Sequence, residues 1–349
     1  MPLADINTRS PVSTAVRVGL IGAGGIGSFH GESLALRVPG ATLVSVADPA
    51  PGVAERLTAS LGCPQATLEP AELLANPSIQ AVVIAAPPSV HADLIEAAAG
   101  AGKAVFCEKP MALTLADADR AIEAARAASV PLQVGFNRRF ATDFRAAHDL
   151  VASGELGEPQ LLRSLTRDPG LVDPSVIKPW TIFLETLIHD FDTLRWLNLG
   201  ARALEVYATA DALVRPDWKD RGLLDTAMVM VRFDNGAMAT AEASFQAVYG
   251  YDVRGEVFGS AGMVTAGDIR RASMTFYGEK GVVHDTVRRN IDLFRDAYTG
   301  ELAHFVGCVR NETGPECTGE DARDALAIAL AAIESVQTGR PVRLERVEK

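Results

Sequence analysis

The chain has 349 residues, of which 48% are hydrophobic and 22% charged, with a formal net charge of −11. This length favours two domains and this balance is that of a globular protein, whereas the negative charge excludes a nucleic-acid binder that relies on phosphate neutralisation. No apolar run reaches the about 18 residues of a membrane span, so we expect no membrane partner.

The ends and the cysteines give further expectations about the setting of the protein. Residues 1–15 contain charges and prolines and no apolar core, so we expect a flexible tail and no signal peptide. Four cysteines lack CxxC spacing, which favours reduced thiols, a cytoplasmic location and no zinc site; they are Cys63, Cys107, Cys308 and Cys317.

Residues 16–137 alternate β-branched runs with alanine-rich runs, which predicts a parallel sheet wrapped by helices. The predicted strands cover residues 16–21, 42–48, 81–87, 103–110 and 131–136. The predicted helices cover residues 25–38, 55–61, 70–75, 91–101 and 115–128, with Thr114 as the N-cap of the last.

Residues 138–349 have a different pattern, which predicts a second α/β domain with a mostly antiparallel sheet. Strands are expected at residues 161–168, 203–210, 225–233, 237–245, 251–259 and 262–267. Helices are expected at 141–152, 181–198 and 320–338, and a proline-rich loop at 169–179. Asn235-Gly236 between two strands predicts a hairpin with a type I′ turn.

A glycine-rich segment directly follows the first strand and opens the first helix. It contains Gly22, Gly24, Gly25, Ile26 and Gly27 in a GxGxxG pattern. In this context the glycines permit a tight turn, close approach of a pyrophosphate and close helix–strand packing. The alternative is an ordinary glycine-rich turn, which a second signal argues against.

That signal is Asp48, at the end of the second strand and 21 residues after Gly27. A carboxylate there accepts from the adenosine ribose hydroxyls and repels a 2′-phosphate. Pro49 follows, and not an Arg or Lys that would bind such a phosphate, so the sequence favours NAD over NADP. The alternative interpretation is that Asp48-Pro49 simply starts a turn and does not contact a cofactor.

Polar segments also leave the carboxyl ends of three further predicted strands, where ligands of open parallel sheets bind. From them we predict contacts with the cofactor by Ala86, Pro87, His91, Glu108, Lys109, Asn137 and Arg139.

With these motifs the chain resembles the Gfo/Idh/MocA family, and the likeness runs from Val16 to about Leu344. The motifs AxPxxxH, EKP and GFxRR follow the glycine turn in the family's order, at residues 86–91, 108–110 and 135–139. Residues 188–192 and 249–252 look most like the inositol dehydrogenase branch. The resemblance implies a Rossmann domain, a second domain with a large open sheet, and a homotetramer that uses those sheets in its contacts.

Oxidation of a carbinol needs a hydride acceptor, a base and donors to the oxygen. His189 is the expected base and Lys109 the expected donor. The resemblance adds Glu185, four residues before His189 and on the same helix face, where the family usually has Asp. Asp192 could also reach that edge. The acids and histidines show no metal-ligand spacing, so we expect metal-free catalysis.

The predicted substrate contacts are Lys109, Asp168, Glu185, His189, Tyr249 and Tyr251. Tyr249 and Tyr251 alternate with Gly250 and would share one face of a strand, but they would also be unremarkable as core aromatics. Arg138 and Arg139 could clamp a sugar phosphate; the preferred interpretation is that one supports the cofactor pocket and the other faces solvent. His30 and His91 are expected to be structural or to contact the cofactor.

The resulting hypothesis is an NAD-dependent inositol 2-dehydrogenase acting on myo-inositol, a small neutral polyol. The alternative within the family is a dehydrogenase of scyllo-inositol, another inositol or a pyranose. A non-catalytic NAD sensor would not need both Lys109 and His189, and an enzyme using NAD transiently would need loop chemistry that the sequence does not contain.

Overall fold

The computed structural model describes residues 15–170 and 177–344. The predicted tail therefore lies outside the described residues except for its last residue, as do residues 171–176 of the predicted proline-rich loop and residues 345–349.

Six parallel strands form the first sheet: β1 (Val16–Ile21), β2 (Ala41–Ala47), β3 (Gln65–Thr67), β4 (Ala81–Ile84), β5 (Ala104–Glu108) and β6 (Leu132–Gly135). Their order is β3-β2-β1-β4-β5-β6, the order of a Rossmann sheet, which confirms the predicted fold of this part. β1, β2, β4 and β5 are mostly buried and rich in Val, Ile, Leu and Ala because helices cover both faces. β3 was not predicted, since its three residues carry no apolar run.

The helices between these strands are α1 (Gly25–Leu36), α2 (Val53–Leu61), α3 (Pro70–Leu74), α4 (His91–Gly100) and α5 (Leu115–Ala127). The hydroxyl of Thr114 accepts from the Asp117 amide at 3.1 Å, which confirms the predicted N-cap of α5. The first sheet thus directs the residues after β1, β2, β4, β5 and β6 to one edge.

The second sheet is built from β7 (Pro159–Arg167), β8 (Ala203–Asp211), β9 (Thr226–Phe233), β10 (Met238–Ser244), β11 (Asp252–Gly259), β12 (Met263–Ala266) and β15 (Val342–Arg343). Its order is β12-β11-β7-β10-β9-β8-β15. β7 and β10 pair in parallel and the other neighbours pair antiparallel, so the mostly antiparallel sheet is confirmed.

Helices cover one face of this sheet. They are α6 (Thr142–Ala152), α7 (Ile188–Leu197), which continues a π-helical segment (Ile182–Leu187), and α10 (Gly319–Thr338). On β9 the side chains alternate strictly, with Ala227, Val229 and Val231 buried beneath the helices and Met228 and Met230 half-exposed on the opposite face. That opposite face also carries Leu161, Met238 and Phe258, and we call it the open face.

The predicted turn type between β9 and β10 is wrong. Phe233 pairs with Ala237 across a three-residue loop, and within that loop only Gly236 has a positive φ, of +90°. A type I′ turn needs positive φ at both central residues. Asn235 instead uses its side chain, which accepts from the Ala237 amide and pairs with Asn198.

Several described elements of the second half were not predicted, among them the short edge strand β15. β13 (Arg270–Gly278) and β14 (Gly281–Thr286) form a separate two-stranded ribbon, and α8 (Asn290–Leu293) precedes α9 (Arg295–Asn311). α9 packs on the first sheet, where Leu302, Phe305 and Val306 join the core around Leu20 and Phe106. Among the described helices none is long and apolar enough to cross a bilayer.

Candidate active site

At two of its glycines the glycine turn leaves no room for a side chain. Gly22 has a φ of +93°, and a Cβ there would lie 2.6 Å from the Ala85 carbonyl oxygen. A Cβ on Gly27 would lie 2.1 Å from the Gly22 carbonyl oxygen, whereas nothing lies within 4 Å of one on Gly24 or Gly25. The turn is therefore tight against the sheet and open towards the N-terminus of α1, which is the shape a pyrophosphate needs.

Asp48 directly follows β2 at the same edge. Its Oδ2 accepts from the Ala23 amide at 2.8 Å and its Oδ1 from the Ala50 amide at 2.9 Å. These bonds fix the carboxylate beside the glycine turn, where its remaining lone pairs face the place of an adenosine ribose. The residues present thus fit NAD.

His91 joins two of the predicted cofactor segments. Its Nε2 lies 2.7 Å from the Ala86 carbonyl oxygen and its Nδ1 2.8 Å from that of Pro110. The ring is buried, and burial lowers its pKa more than the two carbonyls raise it. Both ring nitrogens are thus used within the protein, so His91 positions the loops after β4 and β5; its contact with the cofactor stays a prediction.

Glu108 is also turned inward. Its buried carboxylate lies 2.7 Å from Nε2 of His30 and accepts from the Lys109 amide at 3.2 Å. Both carboxylate oxygens thus have partners within the protein, and the contact of Glu108 with the cofactor stays a prediction.

Lys109 reaches across to the second half of the chain. Its Nζ donates to the backbone carbonyl of Glu185 at 3.1 Å. Glu185 lies in the π-helical segment, a helix type often found at functional sites, and its side chain is exposed. Lys109 thus contacts Glu185 through the main chain, which leaves the Glu185 carboxylate free of this bond.

His189 begins the regular part of this helix, one residue into α7. Burial lowers its pKa well below the usual value, and the charges of Lys109 and Arg138 lower it further. Its ring packs edge-to-face on Phe136 at 5.8 Å, and its buried Nδ1 has no hydrogen-bond partner among the described residues. His189 is therefore neutral near pH 7, as a general base must be.

Asp168 and Tyr251 complete the polar group. The two meet because β7 and β11 are antiparallel neighbours with Arg167 opposite Asp252. Burial raises the pKa of Asp168 to about 6, against the lowering effects of the Tyr251 hydrogen bond, Arg138 and Lys109. Oδ1 of Asp168 is buried and has no partner among the described residues, so it is able to accept from a substrate hydroxyl.

The alternation predicted that Tyr249 and Tyr251 share one face of a strand, and this prediction is wrong. It lies in a turn, and the φ of +126° at Gly250 breaks the strand pattern between the two rings. The Tyr249 hydroxyl donates to Asp252 at 2.7 Å, so the two phenols have different partners.

The two arginines of the GFxRR segment are both buried and both paired, so the expectation that one faces solvent is wrong. Arg138 donates to Asp190 at 2.8 Å and to the Thr166 hydroxyl. The neighbouring Arg139 forms a bidentate ion pair with Asp192.

These pairs bear on two sequence-based expectations. Arg139 also binds the Glu316 carbonyl and Asp321, so its guanidinium is paired within the protein, and its contact with the cofactor stays a prediction. Asp192, held by Arg139 at both oxygens, is not available at the edge of His189. Asn137, between these arginines and β6, is buried at the cofactor edge.

The motif spacing gave no sign of one further grouping. Buried His30, Glu108 and Glu301, from α1, β5 and α9, each present a possible ligand atom within 4.8 Å of the others. They are far apart in the sequence and meet only because α9 returns to the first sheet.

Comparison with known proteins agrees with this geometry. Residues 16–136 match the family described as "Oxidoreductase family, NAD-binding Rossmann fold", so the class of the protein is an NAD-binding oxidoreductase. Residues 144–265 match the "GFO/IDH/MocA C-terminal domain". The chain belongs to the Gfo/Idh/MocA family, which confirms the resemblance in its motifs.

Its relatives include two proteins that match along nearly their whole length. The scyllo-inositol 2-dehydrogenase (NAD(+)) of Bacillus subtilis is 38% identical over 95% of this chain and 96% of its own. The myo-inositol 2-dehydrogenase of Thermotoga maritima is also 38% identical, over 95% and 99%. A crystal structure of scyllo-inositol dehydrogenase from Lactobacillus casei with bound NAD(H) and scyllo-inositol superposes with a TM-score of 0.90 at 28% identity, covering 94% of this chain and 99% of that one.

Proposed function

We propose that this protein is an NAD-dependent inositol 2-dehydrogenase that oxidises a secondary hydroxyl of myo-inositol to the ketone. The observation that carries the proposal is the meeting of Lys109, His189 and Asp168 at the carboxyl edge of a sheet whose glycine turn fits NAD. The whole-length relatives named for inositol oxidation support the choice of substrate.

The residues divide the work as follows. Neutral His189 takes the proton of the substrate hydroxyl, and the Lys109 ammonium donates to the oxygen as negative charge builds on it. NAD, when bound, would accept the hydride from the carbon that bears this hydroxyl. Asp168 accepts from a second hydroxyl and so orients the ring, with Tyr251 beside it.

Gly22, Gly24, Gly25, Ile26 and Gly27 would hold the pyrophosphate, and Asp48 the adenosine ribose. Ala86, Pro87, Lys109 and Asn137 would line the nicotinamide side, while His91, Glu108 and Arg139 support that edge from within.

A neutral substrate suits the charges of the site. Both arginines that could clamp a phosphate are already neutralised by buried carboxylates, Arg138 by Asp190 and Arg139 by Asp192. The groups left for the substrate are one cation, Lys109, and the carboxylates of Asp168 and Glu185. A phosphorylated sugar would therefore meet no free guanidinium here.

The alternative substrate is scyllo-inositol, which differs from myo-inositol only in the orientation of one hydroxyl. It is favoured by the name of the Bacillus subtilis relative, which is as similar as the myo-inositol enzyme of Thermotoga maritima.

A substrate panel tests the proposal. Myo-inositol, scyllo-inositol, inositol phosphates, hexoses and hexose phosphates are each assayed with NAD and with NADP by the absorbance of the reduced cofactor. We expect wild type to oxidise myo-inositol with NAD. The turnover of His189→Ala should stay below about 1% of wild type, because a general base contributes about 10²–10⁴-fold. Preferred oxidation of a phosphorylated sugar would contradict the proposal, and preference for scyllo-inositol would select the alternative.

We further propose a homotetramer whose contacts include the open face of the second sheet. Its half-exposed apolar residues form a contiguous patch of a kind that monomers rarely leave uncovered. The cytoplasmic location remains our proposal as well; the four free cysteines are in keeping with it.

A further inference from the structure

The buried cluster of His30, Glu108 and Glu301 adjoins Lys109, whose backbone amide donates to Glu108 at 3.2 Å. Its members come from the glycine-turn helix α1, from the last residue of β5 and from α9. All three are nearly or completely buried, with exposed fractions of 0%, 4% and 0%. Two acids and a histidine in such a place need a proton arrangement that leaves no unpaired charge.

The hydrogen-bond donors reach only one of the two acids. Glu108 has His30 at one oxygen and the Lys109 amide at the other. Both carboxyl oxygens of Glu301 are buried and have no donor among the described residues, although its backbone carbonyl accepts from Gln133. An ionised Glu301 would be a buried charge without a single hydrogen bond.

Two neighbouring buried carboxyls do not ionise together, and their surroundings decide which keeps the proton. Burial raises the pKa of Glu301 well above its usual value, and the charge of Glu108 raises it further against a lowering by Lys109. Glu108 has a lowered pKa despite its burial, because His30 and Lys109 stabilise its charge.

The other groups at the cluster do not change this assignment. Tyr298, one turn before Glu301 on α9, has its pKa raised by burial, Glu108, Glu301 and Tyr251, so its phenol stays neutral. Arg138 acts in the opposite sense on Tyr298 and is itself paired with Asp190.

We infer that Glu301 is a neutral carboxylic acid beside the Glu108 carboxylate, with ligand atoms of the cluster within 4.8 Å of one another, and that this pair with His30 holds Lys109 in position for catalysis. Glu301 and His30 are thus positioning residues that act through Glu108. The part that concerns Lys109 rests on the proposed function; the protonation of Glu301 does not.

A bound cation is the other occupant that this set of atoms would suit. It would have to replace the direct 2.7 Å contact between His30 and Glu108 and enter an enclosed cluster. A proton on Glu301 removes the second buried negative charge without either change, so we assign the proton.

The first experiment measures stability against pH for Glu301→Gln and wild type by urea unfolding. In the unfolded chain Glu301 ionises at its ordinary pKa, whereas in the folded protein it keeps its proton. Wild type therefore loses stability as pH rises above the unfolded value, and the amide, which does not titrate, escapes this loss. The ratio of the folding equilibrium constants, variant to wild type, should grow about tenfold per pH unit between about pH 5 and 7.

The matched control is Asp296→Asn, an exposed acid on the same helix, whose ratio should stay flat. A flat ratio for Glu301→Gln would overturn the inference. If that variant does not fold, infrared spectra of wild type and Glu301→Asp decide: the carbonyl band of a protonated carboxyl should be present at pH 7 and shift in the Asp variant, and its absence overturns the inference.

The second experiment tests the link to Lys109. Glu301→Leu keeps the volume but removes the polar group beside Glu108, and should lower kcat at least tenfold with little change in the KM for NAD. Glu301→Gln, which stays polar and uncharged like the protonated acid, should recover most of that loss. Equal losses in both variants would refute the positioning role.

Metal analysis of the purified protein completes the test. We expect no stoichiometric metal, and one equivalent that is lost in Glu301→Gln would overturn the inference. If no inositol is oxidised in the substrate panel but the predicted pH dependence of stability is observed, the proposed function is contradicted and the protonation of Glu301 stands.

Discussion

The ammonium nitrogen of Lys109 lies 3.1 Å from the backbone carbonyl oxygen of Glu185 and donates a hydrogen bond to it. This bond connects the end of β5 in the Rossmann sheet to the π-helical segment just before His189. It therefore ties the position of the proposed donor to that of the proposed base, and it does so without using any side chain of the second domain.

Replacement of Lys109 should affect the chemical step. Lys109→Ala should lower kcat by roughly 10² or more, because the reacting oxygen loses its charged donor, while the affinity for NAD changes little. Steady-state kinetics and NAD titration measure the two effects. Lys280→Ala, at an exposed turn of the β13–β14 ribbon, is the control, and near-normal turnover of Lys109→Ala would limit this lysine to a structural role.

Glu185 should behave differently from Lys109. Since Lys109 binds its main chain, Glu185→Gln leaves that bond in place and removes only the exposed carboxylate. We expect the KM for inositol to rise more than kcat falls, by a ratio of about three or more, as for a lost ground-state contact. A fall in kcat like that of Lys109→Ala would mean that the carboxylate takes part in proton transfer.

The acidic limb of the pH–rate profile should come from Asp168. Its pKa is raised to about 6 by burial, and below that pH the protonated acid no longer accepts as a carboxylate, so kcat/KM should fall. Burial and the charges of Lys109 and Arg138 hold the pKa of His189 well below its usual value, so we expect the limb near pH 6 from Asp168 and not from this base.

Two variants separate these groups. Asp168→Asn should remove the limb near pH 6 and lower kcat/KM by about tenfold or more. Tyr251→Phe removes a bond that lowers the pKa of Asp168 and should move the limb to higher pH. An unchanged limb in Asp168→Asn would assign it to His189.

Cofactor preference should depend on the charge of Asp48. Wild type should prefer NAD to NADP by at least tenfold in kcat/KM, about 1.4 kcal/mol. Asp48→Asn keeps an acceptor for the Ala23 amide but loses the repulsion of a 2′-phosphate, so the preference should shrink. Asp48→Ala should also weaken NAD binding, because it loses the bonds to Ala23 and Ala50. Equal use of both cofactors by wild type would contradict the assignment.

A charge on the open face should weaken the proposed tetramer. Met230→Glu places a carboxylate where about half of the native side chain is exposed, so the fold should tolerate it while a buried contact would not. Light scattering should show smaller assemblies than wild type. Leu36→Glu, exposed on α1 of the other domain, is the control; an unchanged mass for Met230→Glu would exclude this face.

Local patterns predicted those parts of the fold and site that local chemistry determines. The glycine turn requires positive φ and close approach at Gly22, and the Thr114 hydroxyl caps α5; both requirements are visible within a few residues of sequence. Six of the seven strands of the second sheet were likewise predicted from strand-like runs, whereas the two-residue strand β15 was not.

The misses come from partners distant in the sequence. The sequence predicted a cofactor contact for Arg139, whose guanidinium pairs with Asp192, 53 residues later in the chain. The inward turn of His91 depends on the Pro110 carbonyl. Gly250 breaks the expected strand because its neighbours Thr286 and Val287 leave no space for a Cβ, and the β13–β14 ribbon that supplies Thr286 lacked a recognisable pattern.

The packing of α9 on the first sheet sets an order for folding during synthesis. The last strand of that sheet ends at residue 135, but Phe305, which packs on Phe106 at 5.9 Å, is added long afterwards. At roughly 5–20 residues per second, the ribosome needs on the order of ten to thirty seconds to reach the end of α9. Throughout that interval the nascent first domain has an uncovered apolar surface around Leu20 and Phe106, and a chain released before α9 would present that surface to chaperones and proteases.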